Sequence, residues 1–261
     1  MSVHAVIGSD NRVDATRIEE AGLNALQTQR QLFFDGWLLR MSPGKAKRGR
    51  SVNPHFGSSL PLAHKIAYCE ERYAACRLPT IFRITPFCKP ADLDAALEQH
   101  GYVAFGNTLV QLVDLARPRP SSRKDLDIES VPVAEFVAAV GALRGSPPGQ
   151  QAAHLERLAQ SPLALHTVVA RVDGEPVACG QVACDGDVAA IYDMATAPDW
   201  RGRGLASAIV DALLSQADDR GARVAFLQVD DDNVPAIAVY RKFGFATLYT
   251  YHYRARDGEC R

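Results

Sequence analysis

The chain has 261 residues, 47% of them apolar, which suffices for one large domain or two small ones with buried cores. Acidic and basic residues number 30 and 29, so no global field draws the chain to nucleic acid or to an anionic membrane. Residues 1–12 lack the apolar core of a signal peptide, no apolar run approaches the ~18 residues of a membrane span, and the six cysteines have neither C-x-x-C pairing nor zinc-ligand spacing, so the expectation is a cytoplasmic protein with reduced thiols and no metal.

In chain order, Asp14 caps an amphipathic helix over about 14–31, carried by Ile18, Leu23 and Leu26. Phe33 to Met41 reads as a strand, paired with a segment near Ser51-Val52-Asn53 across a loop that carries Lys45, Lys47, Arg48 and Arg50. Leu62 to Cys76 is a helix, Thr80 to Thr85 a strand, Ala91 to His100 a helix stopped by Gly101, and Val103 to Leu115 a closing strand. Ala116 to Asp127 is rich in Pro, Ser and charge, as a surface linker is, and divides the chain into domains 1–116 and 127–261 around a linker at 117–126. Helices at 133–143 and 151–158 follow. Strands at 166–172, 177–184 and 188–196 are then joined by turns at Asp173-Gly174 and Asp185-Gly186-Asp187. Leu205 to Asp219 is a helix, Val224 to Val229 a strand, Val234 to Phe243 a helix stopped by Gly244, and Ala246 to Arg254 a last strand.

The two halves repeat. A constant offset of 143 carries Leu62 onto Leu205, Ile66 onto Ile209, Ile81 onto Val224, Ile84 onto Leu227, and Gly101-Tyr102 onto Gly244-Phe245. A period of domain length means a tandem of one α+β unit.

The chemistry concentrates where the 188–196 strand runs through Arg201-Gly202-Arg203-Gly204-Leu205-Ala206 into a helix. Such a turn gathers free backbone N–H groups and the positive end of the helix dipole, and Arg201 and Arg203 add charge-assisted bonds, so the point suits a pyrophosphate. A dinucleotide-binding fold also opens with Gly-x-Gly, but its third glycine falls on Ser207 and antiparallel hairpins precede the turn. No Gly-Lys-Ser/Thr marks a P-loop. Downstream stand Asn233, Ala236, Tyr240, Gly244 and Phe245.

On these residues the sequence resembles the GNAT acetyltransferase superfamily. Its Gln/Arg-x-x-Gly-x-Gly/Ala loop is met by Arg201, Gly204 and Ala206, and its Asn-x-x-Ala-x-x-x-Tyr-x-x-x-Gly-Phe signature by Asn233 to Phe245. The resemblance covers about residues 126–254, closest in style to the N-terminal alanine acetyltransferase branch. It implies an α+β fold with a mixed sheet, a GNAT fold in the C-terminal half and a degenerate GNAT-like lobe in the N-terminal half. It implies acetyl-CoA as co-substrate, with Met194, Ala195 and Thr196 lining it beside a splay between strands 188–196 and 224–229, residues 201–206 holding its pyrophosphate, and Asn233 bonding the pantetheine. Tyr240 becomes the general acid for the leaving thiolate. That branch's glutamate base is replaced here by Gln228, which cannot accept a proton, so Asp193 is the expected base, with Asp230, His252 or no dedicated base as alternatives. The acceptor is an amine, either a small molecule or a protein N-terminus, and the expected protein is a monomer or homodimer. The rival is a non-catalytic acyl-CoA sensor that kept the site and lost turnover.

Under the offset, residues 201–206 fall on Ser58-Ser59-Leu60-Pro61-Leu62-Ala63, where Pro61 lacks the N–H of Gly204. Asn233 falls on Pro90 and Tyr240 on Leu97, so the first copy is expected to bind no coenzyme. Its basic loop reads as a solvated hairpin, or as a hold for an acidic acceptor or for the coenzyme 3′-phosphate.

Overall fold

The computed structural model describes residues 4–7, 11–28, 30–42, 44, 46–118, 120 and 126–260. Lys45 and most of the expected linker, residues 119 and 121–125, lie outside the described residues. The chain forms two compact units, each completed by chain from the other half of the sequence: Met1–Ala25 with Val110–Leu248, and Leu26–Leu109 with Tyr249–Arg261.

The first unit opens with a hairpin, β1 (His4–Ile7) and β2 (Asn11–Asp14), and helix α1 (Ala15–Ala25). Asp14 caps α1 as expected, its Oδ1 accepting the Thr16 N–H at 3.0 Å, but the helix ends earlier, at Ala25. Helices α4 (Val133–Arg144) and α5 (Pro148–Ala159) precede strands β9 (Ala164–Val172), β10 (Glu175–Asp185) and β11 (Val188–Thr196). Helix α6 (Leu205–Asp218), β12 (Val224–Asp230) and α7 (Val234–Lys242) follow. Both hairpins of the sequence reading are present, and Asp173 and Gly174 take the positive φ values, 51° and 83°, that a tight two-residue turn requires. Strand β8 (Ile128–Ser130), on the edge of β9, was not expected; its three residues are too few to show a period. β11 and β12 run parallel, joined by α6 as crossover.

In the second unit the segment expected as one strand from Phe33 to Met41 is a hairpin, β3 (Gln31–Phe34) and β4 (Trp37–Arg40). Asp35 and Gly36, at φ 41° and 83°, make the turn; an Asp-Gly signal inside an apolar run reads as strand by hydropathy and as hairpin by backbone geometry. β5 (Val52–Pro54) pairs antiparallel with β4 and parallel with β6 (Phe82–Ile84), which α2 (Leu62–Ala75) connects. After α3 (Leu93–Gln99) comes β7 (Tyr102–Asp114), and β6 also pairs antiparallel with β13 (Ala246–Arg256). Arg254 and His252 of β13 both reach Asp94 of α3, at 2.5 and 2.9 Å, and Arg256 meets Glu70 of α2 at 2.8 Å. Trp37, Tyr73, Phe82, Leu93 and Tyr102 fill the core of this unit.

The repeat is visible in the elements. α2 and α6 are both 14 residues long and begin 143 positions apart, at Leu62 and Leu205. Each follows an antiparallel pair and leads into a parallel strand.

Candidate functional site

The site belongs to the first unit and starts from an irregularity in β11. Cys179 of β10 faces Ala195 and Gln181 faces Tyr192, so Gly180 alone stands opposite Asp193 and Met194. This is a β-bulge, and Asp193 carries it at φ 51°, a left-handed conformation that aspartate tolerates better than most residues. A Cβ at Gly180 would come within 2.5 Å of Met194 Sδ, 2.7 Å of Ile209 and 2.9 Å of Leu213. Gly180 therefore seats Met194 and brings α6 down onto the sheet. Gly180→Ala is expected to destabilise the protein by about 1–3 kcal/mol through overpacking, read as a lower midpoint in urea at unchanged slope.

Beyond the bulge the sheet opens. β11 pairs with β12 from Val188↔Val224 to Ile191↔Leu227, while β11 itself continues to Thr196. Met194, Ala195 and Thr196 thus stand on a strand end without a β12 partner, at the splay expected between these two strands.

Below that end the chain turns through Pro198–Trp200 into the loop 201–204, whose residues are exposed. Gly204 sits at φ 85° as the residue before α6, and no side chain caps the helix. The first intrahelical bond is that of the Ala208 N–H to the Gly204 carbonyl at 3.1 Å. The N–H groups of Gly202, Gly204, Leu205, Ala206 and Ser207 have no hydrogen-bond partner among the described residues. Arg203 lies 4.6 Å from the centre of the Trp200 ring, which holds its guanidinium beside the loop.

The corresponding loop of the other copy differs in one decisive respect. There the N–H groups of Ser59 and Leu60 donate to the Asp35 carboxylate at 3.0 Å each, and the Ser59 hydroxyl adds a third bond at 3.0 Å. Lys65, wholly buried, meets the same carboxylate at 3.3 Å and lies 3.9 Å from the Trp37 ring. Two backbone donors of the first copy's loop are thus taken by a side chain. Asp35 is held well below the usual carboxylate range, first by the Ser59 N–H, against some desolvation, then by Leu60, the Ser59 hydroxyl and Lys65.

Asn233 caps α7, its Oδ1 accepting the Ala236 N–H at 3.3 Å. Tyr240, seven residues on, is buried at 8% exposure, edge-on to Phe245 with ring centres 5.8 Å apart. Burial pushes its phenol from 10.0 up to about 12, and its hydroxyl has no hydrogen-bond partner among the described residues. Folding favours the neutral phenol, so its stabilisation is complete below pH 10.0 and is lost as the pH rises through about 12. In a phenolate absorbance titration, wild type minus Tyr240→Phe should give a step near 12; a step near 10.0 would place this hydroxyl in water.

Asp193 does not stand alone. Its Oδ1 accepts from Arg144 at 2.9 Å, and its Oδ2 accepts from Gln181 Nε2 at 2.7 Å and from His154 Nε2 at 3.1 Å. Burial works to raise this carboxyl, but the His154 hydrogen bond and the charges of Arg144, His154 and Arg157 outweigh it and hold Asp193 far below the usual range. A carboxylate so held is a weak proton acceptor. Gln181 Oε1 is buried without a partner, an acceptor that a polar ligand atom or water would satisfy.

Sequence reasoning missed Arg144, His154 and Gln181. Arg144 reads as the basic last turn of α4 and His154 as a polar residue of α5; a signal existed in the spacing of Gln151, His154 and Leu158, which share one helix face. Of the alternative bases, Asp230 is exposed at the end of β12, and His252 belongs to the second unit, bonded to Asp94 at 2.9 Å. Among the described residues no cluster of His, Cys, Asp and Glu could hold a metal, and no helix is long and apolar enough to cross a membrane.

The profile of the family described as Acetyltransferase (GNAT) matches residues 136–245, which contain the bulge, the 201–206 loop, Asn233 and Tyr240. An uncharacterized N-acetyltransferase, YobR of Bacillus subtilis, is 26% identical over 248 residues, 93% of this chain and 99% of that one. Other curated relatives are matched over part of their length, 37% in one archaeal N-acetyltransferase and 50% in an Escherichia coli one. In fold, the chain resembles a GCN5-related N-acetyltransferase from Kribbella flavida (TM-score 0.73, 21% identity, 94% of this chain and 96% of that one). It also resembles a tandem GNAT protein of the clavulanic acid pathway (TM-score 0.58, 16% identity, 74% and 68% of the two chains). The α+β fold with its mixed strands, the repeated unit, the family profile and the N-acetyltransferase relatives agree: residues 136–245 form a GNAT acetyltransferase domain, and the protein is an acyltransferase.

Proposed function

We propose that the protein transfers an acetyl group from acetyl-CoA to a primary amine by direct attack in a ternary complex. The observation that carries this reading is the set of N–H groups at the start of α6, those of Gly202, Gly204, Leu205, Ala206 and Ser207, that have no partner among the described residues and are flanked by Arg201 and Arg203, since such a cradle binds a pyrophosphate through backbone donors and the helix dipole. The pantetheine arm would run along Met194, Ala195 and Thr196, whose strand edge lacks a β12 partner, and would meet the Nδ2 of Asn233, whose Oδ1 is already used as a helix cap.

Transfer requires a proton for the leaving thiolate. In this reading Tyr240 supplies it: the phenol is neutral throughout the physiological range, buried, and not committed to another bond. Asp193 stays in the site as a permanently ionised centre that gathers Arg144, His154 and Gln181 on the acceptor side, not as the group that takes up the proton.

The experiment is thiol release from acetyl-CoA by the full-length protein with a panel of primary amines: alkylamines, polyamines, amino-acid amides and short peptides with free N-termini. Amine-dependent release is expected with at least one class. Tight acetyl-CoA binding with no release across the panel would contradict the transfer reading and favour a sensor.

A further inference from the structure

His154 lies outside the two motifs that mark the coenzyme site, yet it is hydrogen-bonded to the residue that precedes Met194 at the bulge. Asp193 is ionised and can only accept, so the 3.1 Å contact requires His154 Nε2 to carry a hydrogen. In a neutral imidazole so protonated, the lone pair is on Nδ1. Nδ1 has no hydrogen-bond partner among the described residues, and it is not among the side-chain atoms buried without one. It is therefore an unengaged base within reach of solvent or ligand. The ring is confined on its other sides: Phe136 of α4 stands edge-on to it with centres 6.5 Å apart, while Arg144 of α4 and Gln181 of β10 bind the same Asp193 carboxylate, and Arg157 lies one turn further along α5.

We propose that His154 is the general base of the transfer, with Asp193, Gln181 and Arg144 as positioning residues that fix its tautomer and ring orientation. The proposal rests on the acetyl-transfer reading above and fills the role that Gln228 cannot. The acceptor's ammonium gives one proton to Nδ1. The nitrogen lone pair so freed forms the N–C bond to the acetyl carbonyl carbon, the C–S bond breaks, and the departing sulfur takes the Tyr240 hydroxyl proton. The nitrogen's second proton leaves through water and restores the phenol, and His154 returns its proton to solvent. Asp193 acts here as an aspartate does behind any catalytic histidine: it makes one tautomer the stable one.

The test compares two kinds of nucleophile. Alkylamines such as tyramine or spermidine arrive as ammonium ions and need a base, whereas hydroxylamine is already neutral at assay pH. In the full-length protein, His154→Gln should reduce kcat/KM for an alkylamine by about 100-fold or more, reduce it for hydroxylamine by less than about tenfold, and abolish the acidic limb of the pH profile. Equal losses on both nucleophiles, or an unchanged acidic limb, would overturn the proposal and leave the transfer reading standing. Absence of thiol release by the wild type with every probe would overturn the transfer reading and the proposal together. A readout independent of turnover is the imidazole 15N spectrum: neutral His154 should appear as the Nε2–H tautomer in the wild type and lose that preference in Asp193→Ala. An Nδ1–H tautomer in the wild type would overturn the proposal.

Discussion

Replacing Gly204 with valine is expected to raise the acetyl-CoA dissociation constant by at least about 100-fold, a change of ~2.7 kcal/mol. Two costs add. Gly204 sits at φ 85°, where a β-branched residue costs about 1–3 kcal/mol, so the loop must rebuild or carry the strain. Rebuilding re-aims the N–H groups of Gly202, Gly204 and Leu205, and each lost bond to a charged oxygen is worth about 1.5–3 kcal/mol. Calorimetric titration of the variant checks this, with circular dichroism to confirm that α6 is retained. An affinity within a fewfold of wild type would show that the coenzyme phosphates are held elsewhere.

The second large effect concerns Tyr240. Tyr240→Phe removes one oxygen whose hydroxyl makes no bond among the described residues, so its folding cost is small. In turnover, kcat should fall by about 100-fold, the lower end of what general acid catalysis contributes, while acetyl-CoA affinity stays within about twofold. The ring contact with Phe245 survives the change, so a loss of affinity comparable to the loss of kcat would mean that Tyr240 holds the coenzyme and does not act as its acid.

Most of the α+β order was legible because it is local. Asp173-Gly174 sits between alternating apolar runs, and the helices after Leu62 and Leu205 keep the same period, so both turn chemistry and periodicity pointed the same way. What was not legible depends on contacts between distant residues. His252 and Arg254 of β13 pair with Ile84 and Phe82 of β6 and Arg254 meets Asp94 and Glu98, all far away in sequence, and no pattern within β13 announces its partner strand. The 201–206 loop drew notice as a Gly-x-Gly turn before a helix, and Asn233 and Tyr240 through the resemblance to a family signature. The cluster around Asp193 could not be found in this way: Arg144, His154 and Gln181 meet only because a bulge turns Asp193 toward them, and a bulge is one extra residue that hydropathy does not record. Gly180, opposite that bulge, was its one trace in the sequence, and an isolated glycine inside a strand pattern signals such a kink or a close approach.

In the proposed function two related loops have opposite fates: the one before α6 keeps its backbone donors for a coenzyme, and the one before α2 gives those of Ser59 and Leu60 to Asp35. Isothermal titration of the full-length protein with acetyl-CoA tests this most directly. One molecule is expected to bind per chain, with binding removed by Gly204→Val and retained in Asp35→Asn. Two molecules per chain, or one whose binding survives Gly204→Val, would contradict it.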